Sequence, residues 1–183
     1  MSRISAIALA LLALATAASA QVPTSGNIFF GYSYASAQVF STDHTSLNGW
    51  NGSLEGKVLP WVGIVADFSG HYGSEAGPQP CLPPGPCPPI HLDARVYNVL
   101  FGPRVSASVG KIRPFAHALF GAGHVSTDGL GSDTSFATAL GGGIDYRMFH
   151  VVGWRVQADF LQKRFFNDTQ NNFRLSTGIV LHF

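Results

Sequence analysis

Charged side chains are scarce in this sequence. Asp, Glu, Lys and Arg together make up 11% of its 183 residues, whereas about 25% is usual for a soluble domain. The formal net charge is +1, and no basic run or stripe could neutralise a row of phosphates. We therefore expect no nucleic-acid partner. Contact with lipid would explain the deficit, because a surface that faces lipid carries few charges.

Helical periodicity is also missing after the first twenty residues. Glycine interrupts nearly every window in which a helix could begin. Gly121–Gly123 and Gly141–Gly143 are unlike phosphate-binding loops, because neither leads into a helix. The seven histidines are dispersed, without the spacing of a metal site. We expect neither a helix in the mature chain nor a cofactor or metal.

Cysteine is almost absent, with two residues in the whole chain. Cys81 and Cys87 lie in a Pro-rich stretch, residues 73–90, that we expect to form an external loop. In an oxidising compartment the preferred interpretation is a disulfide between them, and a metal or redox pair is the alternative.

The first twenty residues have the layout of a secretory signal. Arg3 supplies a positive charge, the run Ile4–Ala15 is almost wholly apolar, and Ala18-Ser19-Ala20 offers the small residues that a signal peptidase reads. This run is shorter than the ~20 residues of a membrane-spanning helix. We predict cleavage before Gln21 and a single domain over residues 21–183, since no charge-rich linker divides them.

The remaining chain contains eight segments with apolar or aromatic side chains at every second position, separated by clusters of turn residues. Connections after the second, fourth and sixth segments are short, while the others are generally longer and more polar. This asymmetry is typical of an outer-membrane barrel with tight periplasmic turns. We predict an all-β, eight-stranded, antiparallel up-and-down transmembrane barrel. Its predicted strands are Asn27–Ala37, Trp50–Leu59, Trp61–Tyr72, Ala94–Val105, Arg113–Val125, Ser135–Tyr146, Val151–Phe165 and Asn172–Phe183.

The alternation is clearest in the seventh segment, where Trp154 and Val156 share one face and Arg155 and Asp159 share the other. A soluble barrel would alternate in the same way with its apolar face inward. Low charge, glycines on the polar face and aromatic residues near strand ends favour the polar face inside. The fourth and fifth segments do not define their register. The candidates for aromatic girdles are Tyr32, Tyr34, Trp50, Trp61, Tyr72, Tyr146, Phe149 and Trp154.

The predicted inner face carries charged residues whose signs nearly balance. Because an unpaired charge in a narrow interior is costly, we interpret them as a network of carboxylate–arginine pairs that plugs the lumen. A conducting pore is the alternative, and it would require the network to open. The six residues are Glu55, Asp67, Asp145, Arg155, Asp159 and Arg174.

His124-Val125-Ser126 superficially resembles the His-x-Ser of outer-membrane lipid A deacylases, in which the serine is a nucleophile. An acidic partner is missing at that family's approximate offset, although Asp128 and Asp133 are candidates. We expect no enzymatic activity and keep a lipid-modifying enzyme as an alternative.

The C-terminal segment Ser176–Phe183 resembles the terminal signature of bacterial outer-membrane barrels, with Gly178, Leu181 and the final Phe183 at its defining positions. The resemblance implies that the barrel-assembly machinery reads this strand during biogenesis. Residues 26–183 also resemble the barrel domain of the outer-membrane protein A-like superfamily, most clearly in Gly141–Tyr146 and Trp154–Phe160. That resemblance implies an eight-stranded closed barrel. We expect no cell-wall anchoring, because the peptidoglycan-binding domain of longer relatives has no counterpart here.

These observations together predict a monomeric protein of the bacterial outer membrane, surrounded by outer-membrane lipid. Its expected role is structural or surface-interacting. The alternatives are a small porin, a lipid A-modifying enzyme and a soluble periplasmic barrel that binds an apolar ligand.

Overall fold

A computed structural model describes residues 25–37, 45–77, 90–127, 131–165 and 168–183. Eight antiparallel strands close into one barrel in chain order, which confirms the predicted fold class. Within the described ranges, no helix is long and apolar enough to cross a membrane. The strands are β1 (Gly26–Ala37), β2 (Thr45–Lys57), β3 (Val62–Gly77), β4 (Ile90–Ser106), β5 (Ile112–Thr127), β6 (Gly131–Arg147), β7 (Val152–Phe165) and β8 (Asp168–His182).

The strands extend further at one end than the sequence predicts. β2 begins at Thr45 instead of Trp50, and β3 continues to Gly77 instead of Tyr72. Gly77 still pairs with Ile90 at the start of β4. Backbone pairing does not require apolar side chains, whereas the two-residue alternation reflects burial of one face. The sequence pattern therefore locates only the part of each strand where one face meets an apolar environment.

Both termini of the barrel and three short turns lie at the same end, which is the periplasmic end of such barrels. The turns comprise residues 58–61, 107–111 and 148–151. Gly110 has a φ of 62°, a left-handed conformation that glycine adopts without strain. Strands join at the opposite end through residues 38–44, 78–89, 128–130 and 166–167, outside the described part. Cys81 and Cys87 belong to these residues, so their disulfide stays a prediction. The signal peptide, residues 1–20, also lies outside.

The strand pairing winds around the barrel with a stagger of ten residues. Starting at Lys57, successive cross-strand partners lead back to β2 at Leu47, ten positions earlier. Strand number and stagger together set the diameter, and eight strands leave an interior that side chains fill. The intermediate partners are Gly63, Arg104, His117, Gly141, Asp159, Arg174 and Ala35.

The two faces of the sheet differ sharply in polarity. Phe30 on the outer face is 64% exposed, whereas Arg174 on the inner face is fully buried. β4 and β5 also carry apolar residues inward, since Leu100 and Leu119 are fully buried. They pack with Val65 and Leu161 in one interior cluster. Apolar residues on both faces explain why these two strands did not define their register.

Aromatic side chains form two bands on the outer face. Trp61, Tyr146 and Trp154 are exposed near the periplasmic end. Toward the other end, Tyr72 packs edge-on against Tyr97 with ring centroids 5.9 Å apart. Such bands mark the two interfaces of a membrane-spanning barrel.

Candidate functional site

The barrel interior holds eight charged side chains that are almost completely shielded from solvent, four of each sign among the described residues. All six charged residues that the sequence predicted for the inner face lie there. Arg104 was missed because β4 has no clear alternation. Lys57 was overlooked, although it follows Glu55 by two residues in the predicted strand Trp50–Leu59 and therefore shares its inner face. The acids are Glu55, Asp67, Asp145 and Asp159, and the bases are Lys57, Arg104, Arg155 and Arg174.

Arg155 binds Asp145 through two parallel hydrogen bonds. Its Nε donates to Oδ1 at 2.6 Å and its Nη2 to Oδ2 at 2.8 Å. The guanidinium also lies over two rings, with its Cζ 4.7 Å from the Phe115 centroid and 5.1 Å from the Phe29 centroid. A bidentate charged pair packed on aromatic faces is strong and geometrically specific.

Arg174 connects carboxylates on opposite walls of the lumen. Its Nε donates to Asp159 Oδ2 on β7 at 2.9 Å, and its Nη1 donates to Asp67 Oδ1 on β3 at 2.8 Å. β3 and β7 are four strands apart in a barrel of eight, so they face each other. One side chain therefore spans the interior.

His117, which the sequence did not predict for the network, joins the two halves of the interior. Arg104 Nη1 donates to Glu55 Oε2 at 3.1 Å, and Arg104 Nη2 lies 3.2 Å from His117 Nδ1. His117 Nε2 is 2.7 Å from Asp159 Oδ1. Arginine can only donate and a carboxylate can only accept, so the ring lies between a donor at Nδ1 and an acceptor at Nε2. These contacts therefore hold the ring of His117 in one orientation between Arg104 and Asp159.

Asn27 links the remaining pair to this chain of contacts. Its Nδ2 donates to Glu55 Oε2 at 2.6 Å, and its Oδ1 accepts from Arg155 Nη2 at 3.0 Å. Beyond Arg174 and Asp67, the network ends at Asn51, whose Nδ2 donates to Asp67 Oδ2 at 2.9 Å. One continuous polar network thus runs from Asp145 near the periplasmic turns to Asn51.

Among the residues considered for an acyl-transfer site, those that the structure describes do not form a catalytic triad. The exposed His124 places its Nδ1 2.8 Å from Thr134 Oγ1. Asp133 pairs with the buried, inward-facing Val125, which places it on the opposite face from His124 and Ser126. Asp128 lies outside the described residues.

The residues of the predicted assembly signal lie on β8 and at the chain end. Gly178 packs closely against β1, because an added Cβ would collide with Gly31 and with the Phe30 carbonyl. Leu181 and Phe183 are exposed on the outer side. Backbone hydrogen bonds between Gly26 and Phe183, of 2.8 and 3.1 Å, join the first strand to the end of the last.

Comparison with known proteins identifies relatives of this barrel. The family model for the outer membrane protein beta-barrel domain matches residues 6–183. No curated protein sequence gives a significant match. The fold is similar to neisserial surface protein A, with 14% identity over 86% of this chain and 97% of that chain and a TM-score of 0.69.

Two further solved structures are similar. One is the attachment invasion locus protein Ail of Yersinia pestis, with 18% identity over 87% of this chain and 98% of that chain and a TM-score of 0.56. The other is OprG of Pseudomonas aeruginosa, with 8% identity over 87% and 95% and a TM-score of 0.56. At these identities the likeness shows the fold alone.

Proposed function

Because the chain belongs to the outer membrane protein beta-barrel domain family, and is therefore a bacterial outer-membrane barrel, we propose that it is a structural barrel with a closed lumen that presents its loops at the surface. The observation that carries this proposal is the continuous ionic network across the interior. Arg174 alone is held by carboxylates on two facing strands.

An ion could cross this interior only by displacing such contacts. Removing one partner of a buried ion pair costs about 3–5 kcal/mol, because the other charge is left unpaired in a medium of low polarity. Several coupled pairs would have to separate together. The network therefore supports a plug in preference to an open channel.

The end of the barrel opposite the periplasmic turns, here called the loop end, carries an excess of negative charge. This excess supports a particular class of surface partner. Six of the ten acidic residues of the chain belong to the loop ends of strands or to the connections there, together with only three basic residues. This excess favours cationic or uncharged partners. The acidic residues are Asp43, Glu75, Asp93, Asp128, Asp133 and Asp168, and the basic residues are Arg95, Lys163 and Arg164.

One structural relative binds a negatively charged ligand, in contrast to the cationic or uncharged partners favoured here. Ail of Yersinia pestis has been solved in complex with the heparin analogue sucrose octasulfate, which is a polyanion. An acidic loop end repels polyanions. We therefore do not extend heparin binding to this chain.

Single-channel recording in planar bilayers tests the closed lumen. Purified, folded protein should give no steady openings. The Arg174→Ala variant, which removes the bridge between β3 and β7, should open more often than wild type. Arg95→Ala is the matched control, because Arg95 is an exposed arginine on the outer face of β4. Steady conductance from the wild-type protein would instead identify a small channel.

A further inference from the structure

The periplasmic rim carries two matching apolar turns. In the β2–β3 turn, the amides of Val58 and Leu59 both donate to the Val62 carbonyl, at 3.0 and 2.9 Å. In the β6–β7 turn, the amides of residues 148 and 149 bond to the carbonyl of residue 152 in the same way, at 3.1 and 2.9 Å. Four strands separate the turns, so they stand on opposite sides of the rim.

The tips of both turns expose large apolar side chains. Trp61 is 57% exposed in the β2–β3 turn, and Phe149 is 71% exposed in the β6–β7 turn. Val109, in the turn between β4 and β5, is also exposed. Turns that project into water are normally polar, so these tips indicate contact with an apolar phase.

Three basic residues border one recess between the β4–β5 and β6–β7 turns. Lys111, Arg113 and Arg147 line it together with His182 and Asp145, and it encloses about 10 Å³. The two oxygens of Asp145 already accept hydrogen bonds from Arg155. Within the described ranges, no carboxylate forms an ion pair with Lys111, Arg113 or Arg147. The recess is therefore positively charged.

The rest of the chain offers this rim no acidic residue to balance it. Of the ten acids, six belong to the loop end. The other four, which include Glu55 and Asp145, line the lumen and form ion pairs there. The barrel is thus polarised along its axis, with its uncompensated cations on the periplasmic side.

We infer that this rim binds an anionic phospholipid of the periplasmic leaflet, with the headgroup phosphate over the mouth of the recess and the acyl chains beside the neighbouring tips of the β4–β5 and β6–β7 turns. Arginine presents several donors in a planar fork that suits phosphate oxygens. Basic residues next to a bilayer are attracted to anionic headgroups. The exposed Ile112, Tyr146 and Trp154 continue the apolar surface from the tips to the lipid-facing belt.

A phospholipid accounts for both features of the rim. A free phosphate ion would use the cations and leave the apolar tips in water. A soluble protein partner would cover the tips and remove them from lipid. The proposed lipid site lies at the periplasmic mouth of the barrel and concerns charges outside the buried network, so it does not depend on whether the lumen conducts.

The three tryptophans of the chain provide a direct test. Trp154 pairs with Tyr146, next to Arg147. Trp61 lies in a turn tip, and Trp50 lies near the middle of β2, farther from the rim. Proteins that retain a single tryptophan are made by Trp→Phe substitution and folded into vesicles of equal parts phosphatidylcholine and phosphatidylglycerol. The acyl chains of one lipid at a time carry bromine, which quenches neighbouring indole rings.

Trp154 should be quenched about twofold more when phosphatidylglycerol carries the bromine than when phosphatidylcholine does. Lys111→Gln with Arg147→Gln should remove this difference, and 1 M salt should reduce it because salt screens exposed charges. Arg95→Gln, at the other end of the barrel, is the matched control and should leave it unchanged. Slower migration after heating on gels verifies that each variant is folded.

Two results would overturn the inference. Equal quenching of Trp154 by the two lipids would show that the rim does not select anionic headgroups. Efficient quenching of Trp61 by aqueous iodide, with no quenching by either brominated lipid, would place the tips in water and point to a soluble partner.

Discussion

His117 on β5 reaches Asp159 on β7 across a glycine of the strand between them. Gly141 pairs with both residues, and its missing side chain leaves room for the contact of 2.7 Å between His117 Nε2 and Asp159 Oδ1. A Cβ added at Gly141 would collide with Asp159 Oδ1. The glycine-rich stretch of β6 therefore shapes the network without contributing a polar group.

Gly141→Ala should destabilise the barrel. Overpacking a filled interior costs about 1–3 kcal/mol, and here the methyl group would displace a carboxylate with several partners. The free energy of unfolding in urea, measured in lipid vesicles, checks this. Gly52→Ala is the control, because a Cβ at Gly52 meets its nearest atoms at 3.6 Å. Equal stability of the two variants would contradict the expected crowding at Gly141.

Arg174→Gln should lower the free energy of unfolding by about 3–5 kcal/mol, since it leaves Asp67 and Asp159 without their shared cation. Adding Asp67→Asn should recover part of this loss, because one uncompensated charge is then removed. The same urea measurement on single and double variants gives the coupling energy. Additive losses would show that Arg174 and Asp67 do not interact across the lumen.

Ser126→Ala should leave the acyl composition of lipid A unchanged in cells that express the protein. His124 bonds to Thr134 and not to the serine, and Asp133 faces the other side of the sheet. Mass spectrometry of extracted lipid A provides the measurement. Loss of an acyl chain with wild type, but not with the variant, would establish the enzyme that we do not expect.

Cys81 and Cys87 should resist thiol alkylation in protein purified without reductant and react after reduction. The expected basis is the oxidising compartment in which the loop folds. Mass spectrometry before and after reduction counts the added groups. Two free thiols in the untreated protein would contradict the predicted disulfide.

The sequence identified the strands that alternate cleanly between apolar and ionic residues. β7 and β8 carry Arg155, Asp159 and Arg174 between outward apolar neighbours, so their inner faces could be assigned. β4 and β5 could not, because inward Leu100 and Leu119 resemble lipid-facing residues. Arg104 and His117 were missed for that reason. Arg104 lies two residues before the end of β4, where a charged side chain can also face outward at the membrane interface, so its charge alone did not fix the register of β4.

Pairing across the lumen could not be predicted, because the partners are distant in sequence. Arg174 and Asp67 meet only after the barrel has closed with its stagger of ten residues. Local alternation carries no information about that stagger. The extension of β2 to Thr45 escaped prediction for a related reason, since backbone pairing beyond the lipid leaves no apolar pattern.

The central claim is that the apolar face contacts lipid and encloses the ionic one, and a spin label on the outer face of β6 tests it most directly. A nitroxide is attached to Leu140→Cys, at a side chain that is 64% exposed, in a variant that lacks the two native cysteines. Ser132→Cys, exposed on the same face near the loop end, is the control. In vesicles, oxygen should relax the label at 140 strongly and a water-soluble nickel complex should not, while the nickel complex should reach the label at 132. Strong relaxation of the label at 140 by nickel, or shielding from both reagents, would contradict the account.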